Sequence, residues 1–102
     1  MTTYTLAGAI EPLSRGQTVA VRGRGSSMTP RLVSGQIVTL EPLAAATIVH
    51  PGEIVLAKVH GRLYLHLVRA VRGNQVQIAN NHGRINGWAA RHQVFGRAIE
   101  PV

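Results

Sequence analysis

The chain has 102 residues, of which 45% are hydrophobic and 4% aromatic, and its formal net charge is +7. We expect one domain over residues 1–102, with a single core of aliphatic, largely branched side chains, and no disordered chain. Cysteine is absent, which excludes disulfides and thiolate metal sites.

The predicted elements begin with a short helix over Thr5–Leu13, which Pro12 should end. From Gln17 onward a β pattern takes over, with glycines at the breaks. It predicts six short strands, at Thr18–Arg22, Gln36–Glu41, Glu53–Val59, Leu63–Val71, Gln75–Ala79 and Val94–Glu100. Tight turns are expected at His60-Gly61 and Gly73-Asn74, because Gly and Asn tolerate positive φ. The fold class is therefore mainly β, a small domain of short, mostly antiparallel strands.

Two places along these elements offer reactive side chains. The Gly-rich loop Gly25–Pro30 contains Ser26 and Ser27 and leads into a short helix predicted over Met28–Val33. Backbone N–H groups at a helix start can stabilise an oxyanion. Alternation in the strand Leu63–Val71 puts His66 on a face with small and aromatic groups. Imidazole, with an ordinary pKa of ~6.5, is largely neutral at pH 7 and can take a proton from a serine hydroxyl.

Other site classes receive less support. The five histidines include no pair at the i, i+4 spacing of a helical metal site, so we expect neither a metal nor a cofactor. The positive charge suits an acidic or polyanionic partner. However, the arginines are spread along the chain and few aromatics accompany them, so nucleic-acid binding stays open but is not favoured.

No segment resembles a membrane span. The longest apolar run, Leu43–Val49, is far shorter than the roughly 20 residues that cross a bilayer. The stretch Met1–Glu11 lacks the basic and apolar regions of a secretory signal. We therefore expect no membrane anchor in this chain and a cytoplasmic location.

Taken in order, six short segments resemble the superfamily of LexA-type self-cleaving repressors and type I signal peptidases. The similarity covers about residues 17–100, and the matching segments are the Ser-Met-x-Pro box within Gly25–Pro30, Ser34–Val38, Pro51–Val55, Leu63–Val68, Ala79–Asn81 and Val94–Ala98. The resemblance implies the β-clip catalytic core of that superfamily.

The same resemblance implies roles for individual residues. The serine before Met is the nucleophile in that superfamily, which falls on Ser27. The general base falls on His66, as in the microsomal and archaeal signal peptidases, whereas Lys58 aligns to an earlier strand position. Gly25 stands where some relatives carry an oxyanion-binding side chain. The oxyanion site would therefore use backbone N–H groups, with Ser26 as a helper and Met28 lining the cleft.

The chain departs from the superfamily pattern at its acidic positions. The usual Gly-Asp pairs are Gly35-Gln36 and Gly52-Glu53, and Gly-Asp-Asn has become Ala79-Asn80-Asn81. In relatives with a histidine base an aspartate orients the imidazole, so Asn80, Asn81 or a backbone carbonyl is expected to replace it here. A later box with Ser and Asp is replaced by Arg84–Trp88.

Two functions from different classes follow. The first is a soluble serine endopeptidase with a Ser27–His66 dyad, which cleaves an extended peptide of its own chain or of a partner. The second is a catalytically silent module on the same fold that binds peptide or nucleic acid. The sequence predicts a peptide or protein substrate and makes no prediction of oligomeric state.

Overall fold

The computed structural model describes residues 2–99, which form one helix longer than a single turn and eight strands. In chain order these are β1 Thr3–Tyr4, α1 Leu6–Ser14, β2 Val19–Arg22, β3 Ile37–Pro42, β4 Ile54–Val59, β5 Arg62–Arg72, β6 Gln75–Ala79, β7 Ile85–Ala90 and β8 Val94–Ala98. A one-turn 3₁₀ helix, Arg91–Gln93, precedes β8.

The strands pair in one sheet in the order β1-β2-β3-β8-β4-β5-β6-β7. Only the short β1–β2 pairing is parallel, and the others are antiparallel. The predicted mainly β, mostly antiparallel class is confirmed. All six predicted strands are present with ends shifted by a residue or two; the last predicted residue, Glu100, lies outside the described residues.

Helix α1 begins at Thr5, whose hydroxyl accepts a hydrogen bond from the Gly8 N–H at 3.0 Å. The helix predicted over Thr5–Leu13 is confirmed, and it ends at Ser14, two residues after Pro12. Pro12 removes one N–H, but its ring is buried beside Leu13, and this packing offsets the lost hydrogen bond. No helix within residues 2–99 is both long and apolar enough to cross a membrane.

The short helix predicted over Met28–Val33 is also wrong, because these residues form successive turns. Only one helix-like bond is present there, from the Leu32 N–H to the Met28 carbonyl at 2.9 Å. Pro30 explains the difference, since proline lacks an N–H and its ring disfavours helical geometry at the preceding residue, Thr29. The serine loop therefore has no helix N-terminus.

The buried side chains separate on the two faces of β4. Ile54 and Leu56 point into one cluster with α1, β2 and β3, and Val55, Ala57 and Val59 point into a second with β6 and Val94. Strand β5 divides in the same way, with Leu65 in the first cluster and Val68 in the second. The single core expected from the sequence is thus wrong, because a twisted sheet with both faces covered at its centre buries two sets of side chains.

Strand β7 has an irregular pairing with β6. Ile78 pairs with Gly87, but the next residue, Ala79, pairs with Ile85. Asn86 is therefore an extra residue without a partner in the ladder, which defines a β-bulge. Its neighbour Gly87 has φ +139°, a conformation open essentially to glycine alone.

Candidate active site

Ser27 and His66 meet although they lie 39 residues apart in sequence, with the serine Oγ 2.9 Å from the imidazole Nε2. Ser27 lies in the turns between β2 and β3, and His66 lies in the middle of β5. Both line the same cleft. The structure thus brings together the two residues predicted as nucleophile and base, at the distance that proton transfer requires. Their catalytic roles stay a prediction.

The second ring nitrogen of His66 contacts Asn86, whose Oδ1 lies 2.9 Å from Nδ1. An amide oxygen only accepts hydrogen bonds, so it accepts from the Nδ1–H of a neutral imidazole. Nε2 then carries the lone pair and faces the Ser27 hydroxyl. The expectation that Asn80 or Asn81 orients the imidazole is wrong, because Asn86 occupies that position.

Burial lowers the pKa of His66 from its ordinary value of 6.5, and the hydrogen bond with Asn86 offsets part of this effect. The side chain is 8% exposed and lies against the Tyr64 ring, with the two ring centroids 5.0 Å apart. Removal from water disfavours the charged imidazolium. His66 is therefore held in the neutral form that can accept a proton at neutral pH.

The bulge in β7 explains how Asn86 reaches His66. An extra residue in a strand lies outside the regular alternation and re-aims its side chain. Gly87 makes this geometry possible, because a Cβ at that position would lie 2.9 Å from Cγ1 of Val59. Sequence reasoning missed Asn86, although Arg84–Trp88 was identified as the segment that departs from the superfamily. The one local signal is Gly87, because a glycine inside a strand often marks a bulge, but this signal does not show where the Asn86 side chain points.

Asn81 connects the turn after β6 to the serine loop. Its backbone N–H donates to the Ser27 carbonyl at 2.9 Å, and its side-chain Nδ2 donates to the Thr29 carbonyl at 3.0 Å. These bonds hold the residues on both sides of Met28. Asn81 therefore supports the site by positioning the loop that carries Ser27.

The rest of this turn is held by Asn80 and His82. The Asn80 Oδ1 accepts from the backbone N–H groups of His82 and Arg84, both at 2.9 Å. The His82 Nε2 lies 3.1 Å from the Ser26 carbonyl and 3.2 Å from the Thr29 hydroxyl. Asn80 also lines the cleft. Asn81 therefore contacts the serine loop directly, whereas Asn80 holds the turn that carries Asn81 and His82.

The groups predicted to bind an oxyanion or to support its site differ in their position relative to the cleft. Among the hydrogen bonds within residues 2–99, none is donated by the backbone N–H of Ser27 or of Met28. Met28 is 4% exposed and both lines the cleft and packs in the first core cluster. Ser26 is exposed and outside the cleft lining, so the structure gives its hydroxyl no position at the site.

The cleft around Ser27 and His66 has a volume of about 380 Å³. Its wall includes an apolar part and a basic part. The apolar part contains Leu6, Met28, Leu32, Val33, Leu63 and Leu65. The basic part consists of Arg24, Arg62 and Arg84, and no Asp or Glu is among the lining residues.

A metal site and a lysine base are the two other kinds of site that the described residues can be checked for. No group of three or more His, Asp or Glu side chains in residues 2–99 could hold a metal ion. Lys58, the only lysine, lies on β4 and does not line the cleft. The cleft residues in direct contact that can serve as nucleophile and base are Ser27 and His66.

Comparison with known proteins adds one finding. A protein-family model described as Peptidase S24-like matches residues 3–99, which includes every strand of the sheet. No curated protein and no solved structure matches the chain.

Proposed function

Because the chain belongs to the Peptidase S24-like family, we propose that it is a serine peptidase-like domain that hydrolyses a peptide bond, with Ser27 as nucleophile and His66 as general base. The family match confirms the resemblance to the LexA and signal peptidase superfamily and the fold that it implied. The observation that carries the proposed activity is the 2.9 Å contact between the Ser27 Oγ and the His66 Nε2.

The proposed reaction follows the usual course of acyl transfer. Nε2 takes the hydroxyl proton as Oγ attacks the carbonyl carbon, and the backbone N–H groups of Ser27 and Met28 stabilise the oxyanion. The imidazolium then gives its proton to the leaving amine, so the C–N bond breaks and an acyl-serine forms. Water, deprotonated by the same nitrogen, hydrolyses the acyl-serine.

A free strand edge beside His66 supports an extended peptide as substrate. Strand β5 pairs with β4 from Arg62 onward, but its pairing with β6 begins only at Leu67. Along residues 62–66 the second edge of β5 therefore pairs with no strand in the part of the chain that the structure describes. All five of these residues line the cleft. Backbone groups on such an edge can bind a peptide as an added strand.

The neutral amide of Asn86 favours the second candidate, a silent peptide-binding module. A carboxylate in this position would stabilise the imidazolium that forms as Ser27 loses its proton, and an amide does so only weakly. The same cleft and strand edge would then bind a peptide without cleaving it.

The experiment is reaction of the folded protein with a fluorophosphonate, followed by intact-mass and fragment spectra. We expect one adduct on Ser27, formed as the Oγ–phosphorus bond replaces the phosphorus–fluorine bond. Ser27→Ala and His66→Ala should abolish the adduct. Ser26→Ala is the matched control, because it removes the adjacent hydroxyl outside the cleft, and it should leave labelling intact. Absence of any adduct on folded wild-type protein between pH 5 and about pH 9 would favour the silent module.

A further inference from the structure

The arginines of this chain differ in whether their guanidinium groups are used within the fold. Six of the ten donate hydrogen bonds or form ion pairs with other parts of the structure, namely Arg15, Arg22, Arg31, Arg69, Arg91 and Arg97. The guanidinium groups of Arg24, Arg62, Arg72 and Arg84 do neither within residues 2–99. Three of these four line the cleft, and only Arg72 does not.

The three cleft arginines come from separate parts of the fold. Arg24 lies three residues before Ser27, Arg62 begins β5, and Arg84 lies two residues before Asn86. All three are exposed. Arg62 lies over the Tyr64 ring, with its guanidinium carbon 5.8 Å from the ring centroid. Three arginines that line one cleft concentrate positive potential there.

Carboxylates elsewhere in the described structure do not neutralise this charge. Glu11 pairs with Arg15 at 3.0 Å, while Glu41 and Glu53 both pair with Arg97. None of these three glutamates lines the cleft. The cleft therefore has an apolar wall beside three arginines whose guanidinium groups have no partner within residues 2–99. Arginine is the side chain best suited to bidentate recognition of carboxylates.

We propose that the cleft selects acidic peptides, and that Arg24, Arg62 and Arg84 are its specificity-determining residues. This inference rests on the proposed function for the cleavage of such a peptide, but the binding of the peptide can be tested without it. The occupant is an extended segment that carries Asp or Glu close to an apolar residue, because the arginines and the leucine-rich wall line one continuous cleft.

The position of Arg62 predicts where along the bound peptide an acidic residue is preferred. The Arg62 guanidinium carbon lies 5.8 Å from the Tyr64 ring centroid, which lies 5.0 Å from the His66 ring centroid. The guanidinium is therefore no farther from the imidazole than an extended strand advances in about three residues. A peptide aligned with the free edge of β5 advances by the same distance per residue. We therefore expect a preferred acidic position within about three residues of the scissile bond, on the side where β5 begins.

Binding is tested with Ser27→Ala protein, which cannot turn over the probe. Three labelled peptides of equal length are compared by fluorescence anisotropy, with Leu alternating with Glu, with Gln or with Lys. We expect the Glu peptide alone to bind at low salt and to weaken as salt rises. Arg24→Gln, Arg62→Gln and Arg84→Gln, each with its fold checked by circular dichroism, should each weaken binding about threefold to tenfold.

Arg72→Gln is the matched control, because it removes the same charge from a guanidinium that lies over the Trp88 ring and outside the cleft. It should leave the affinity for the Glu peptide unchanged. Equal binding of the Glu and Gln peptides, or equal weakening by Arg72→Gln, would overturn the proposal. A mixed-sequence oligonucleotide that binds more tightly than the Glu peptide and loses affinity in the same three variants would overturn it in favour of a nucleic-acid site.

Cleavage is tested separately with wild-type protein and a peptide library that is read by mass spectrometry. Enrichment of Asp and Glu within about three residues of the cleaved bonds supports the proposal, and cleavage without acidic enrichment overturns it. If fluorophosphonate does not label Ser27 but the Glu peptide binds as described, the proposed peptidase function fails while the acidic selectivity stands.

Discussion

Asn86 and Ser27 contact opposite nitrogens of one imidazole, with Asn86 Oδ1 2.9 Å from Nδ1 of His66 and Ser27 Oγ 2.9 Å from Nε2. The amide holds the ring in the tautomer that a general base needs, but it brings no negative charge to the site. The arrangement thus separates orientation of the base from electrostatic stabilisation of its protonated form. The two effects can be measured apart in this protein.

The pH dependence of fluorophosphonate labelling should report the lowered pKa of His66. Only the neutral imidazole accepts a proton, so the rate should rise with pH, reach half its maximum below pH 6.5 and be level by about pH 7. Labelling is followed by intact mass across the pH range. A rate that begins to rise only above about pH 8 would contradict His66 as the base.

The same lowered pKa predicts a change in stability. Between the folded-state pKa of His66 and 6.5, the unfolded chain binds more protons than the folded chain. The contribution of His66 to the free energy of unfolding should therefore be complete above pH 6.5, decrease as pH falls below it and level off below the folded-state pKa. Urea unfolding of wild type against His66→Gln isolates this contribution, and parallel pH curves for the two proteins would contradict it.

Asn86→Asp should convert the site to one with a charged orienting group. The new carboxylate favours the imidazolium, so the midpoint of the pH profile should move upward by about one pH unit or more. The maximal labelling rate should increase at least about tenfold, because the developing positive charge is then stabilised. Asn74→Asp adds the same charge in the β5–β6 turn and should change neither quantity. An unchanged midpoint in Asn86→Asp would mean that residue 86 does not contact His66 in solution.

Gly87→Ala should disturb the bulge and displace Asn86. The side chain would occupy a backbone conformation with φ +139° and would meet Val59 Cγ1 at 2.9 Å. We expect a loss of about 1–3 kcal/mol in the free energy of unfolding and slower labelling of Ser27. Gly73→Ala is the control, because its φ of +56° lies in the left-handed helical region and a Cβ there meets nothing within 4 Å. It should cost less stability and leave labelling unchanged.

Arg97 should stabilise the sheet through its two carboxylate partners. Its Nε lies 2.9 Å from Glu41 Oε1 and its Nη1 lies 3.0 Å from Glu53 Oε2, and its side chain is 23% exposed. Arg97→Ala should lower the free energy of unfolding by about 1 kcal/mol, measured from the urea midpoint. Arg15→Ala removes a more exposed pair with Glu11 and should cost less than about 0.5 kcal/mol. Equal losses of unfolding free energy in the two variants would contradict the expectation that the pairs of Arg97 stabilise the fold more than the exposed pair of Arg15.

Much of the sheet could be predicted because its signals are local. Alternation and glycine breaks placed the strands to within a residue or two, and β6 was predicted with the same bounds that the structure gives. The exceptions are β1, which is only two residues long, and segments in which proline or Asn-Gly changes the local pattern. Met28–Val33 has apolar residues typical of a helix, but Pro30 prevents one. Strand β7 was missed because Asn86-Gly87 is typical of a turn.

The candidate site depends on contacts that local sequence patterns cannot predict. Ser27 and His66 were predicted as partners from the order of segments that resemble a superfamily, since nothing local joins residues 39 positions apart. Asn86 could not be assigned in the same way, because a bulge is a property of two paired strands. The register between β6 and β7 decides where residue 86 points, and that register depends on the whole sheet.

The unpaired position of Asn86 has a consequence for redesign of this domain. A β7 shortened by that one residue would align Gly87 and Ile85 with Ile78 and Ala79 in an uninterrupted ladder. Such a sheet would be more regular, and His66 would lose the partner of its Nδ1. Redesign of this domain for ideal strand geometry would therefore remove the contact between Asn86 and His66.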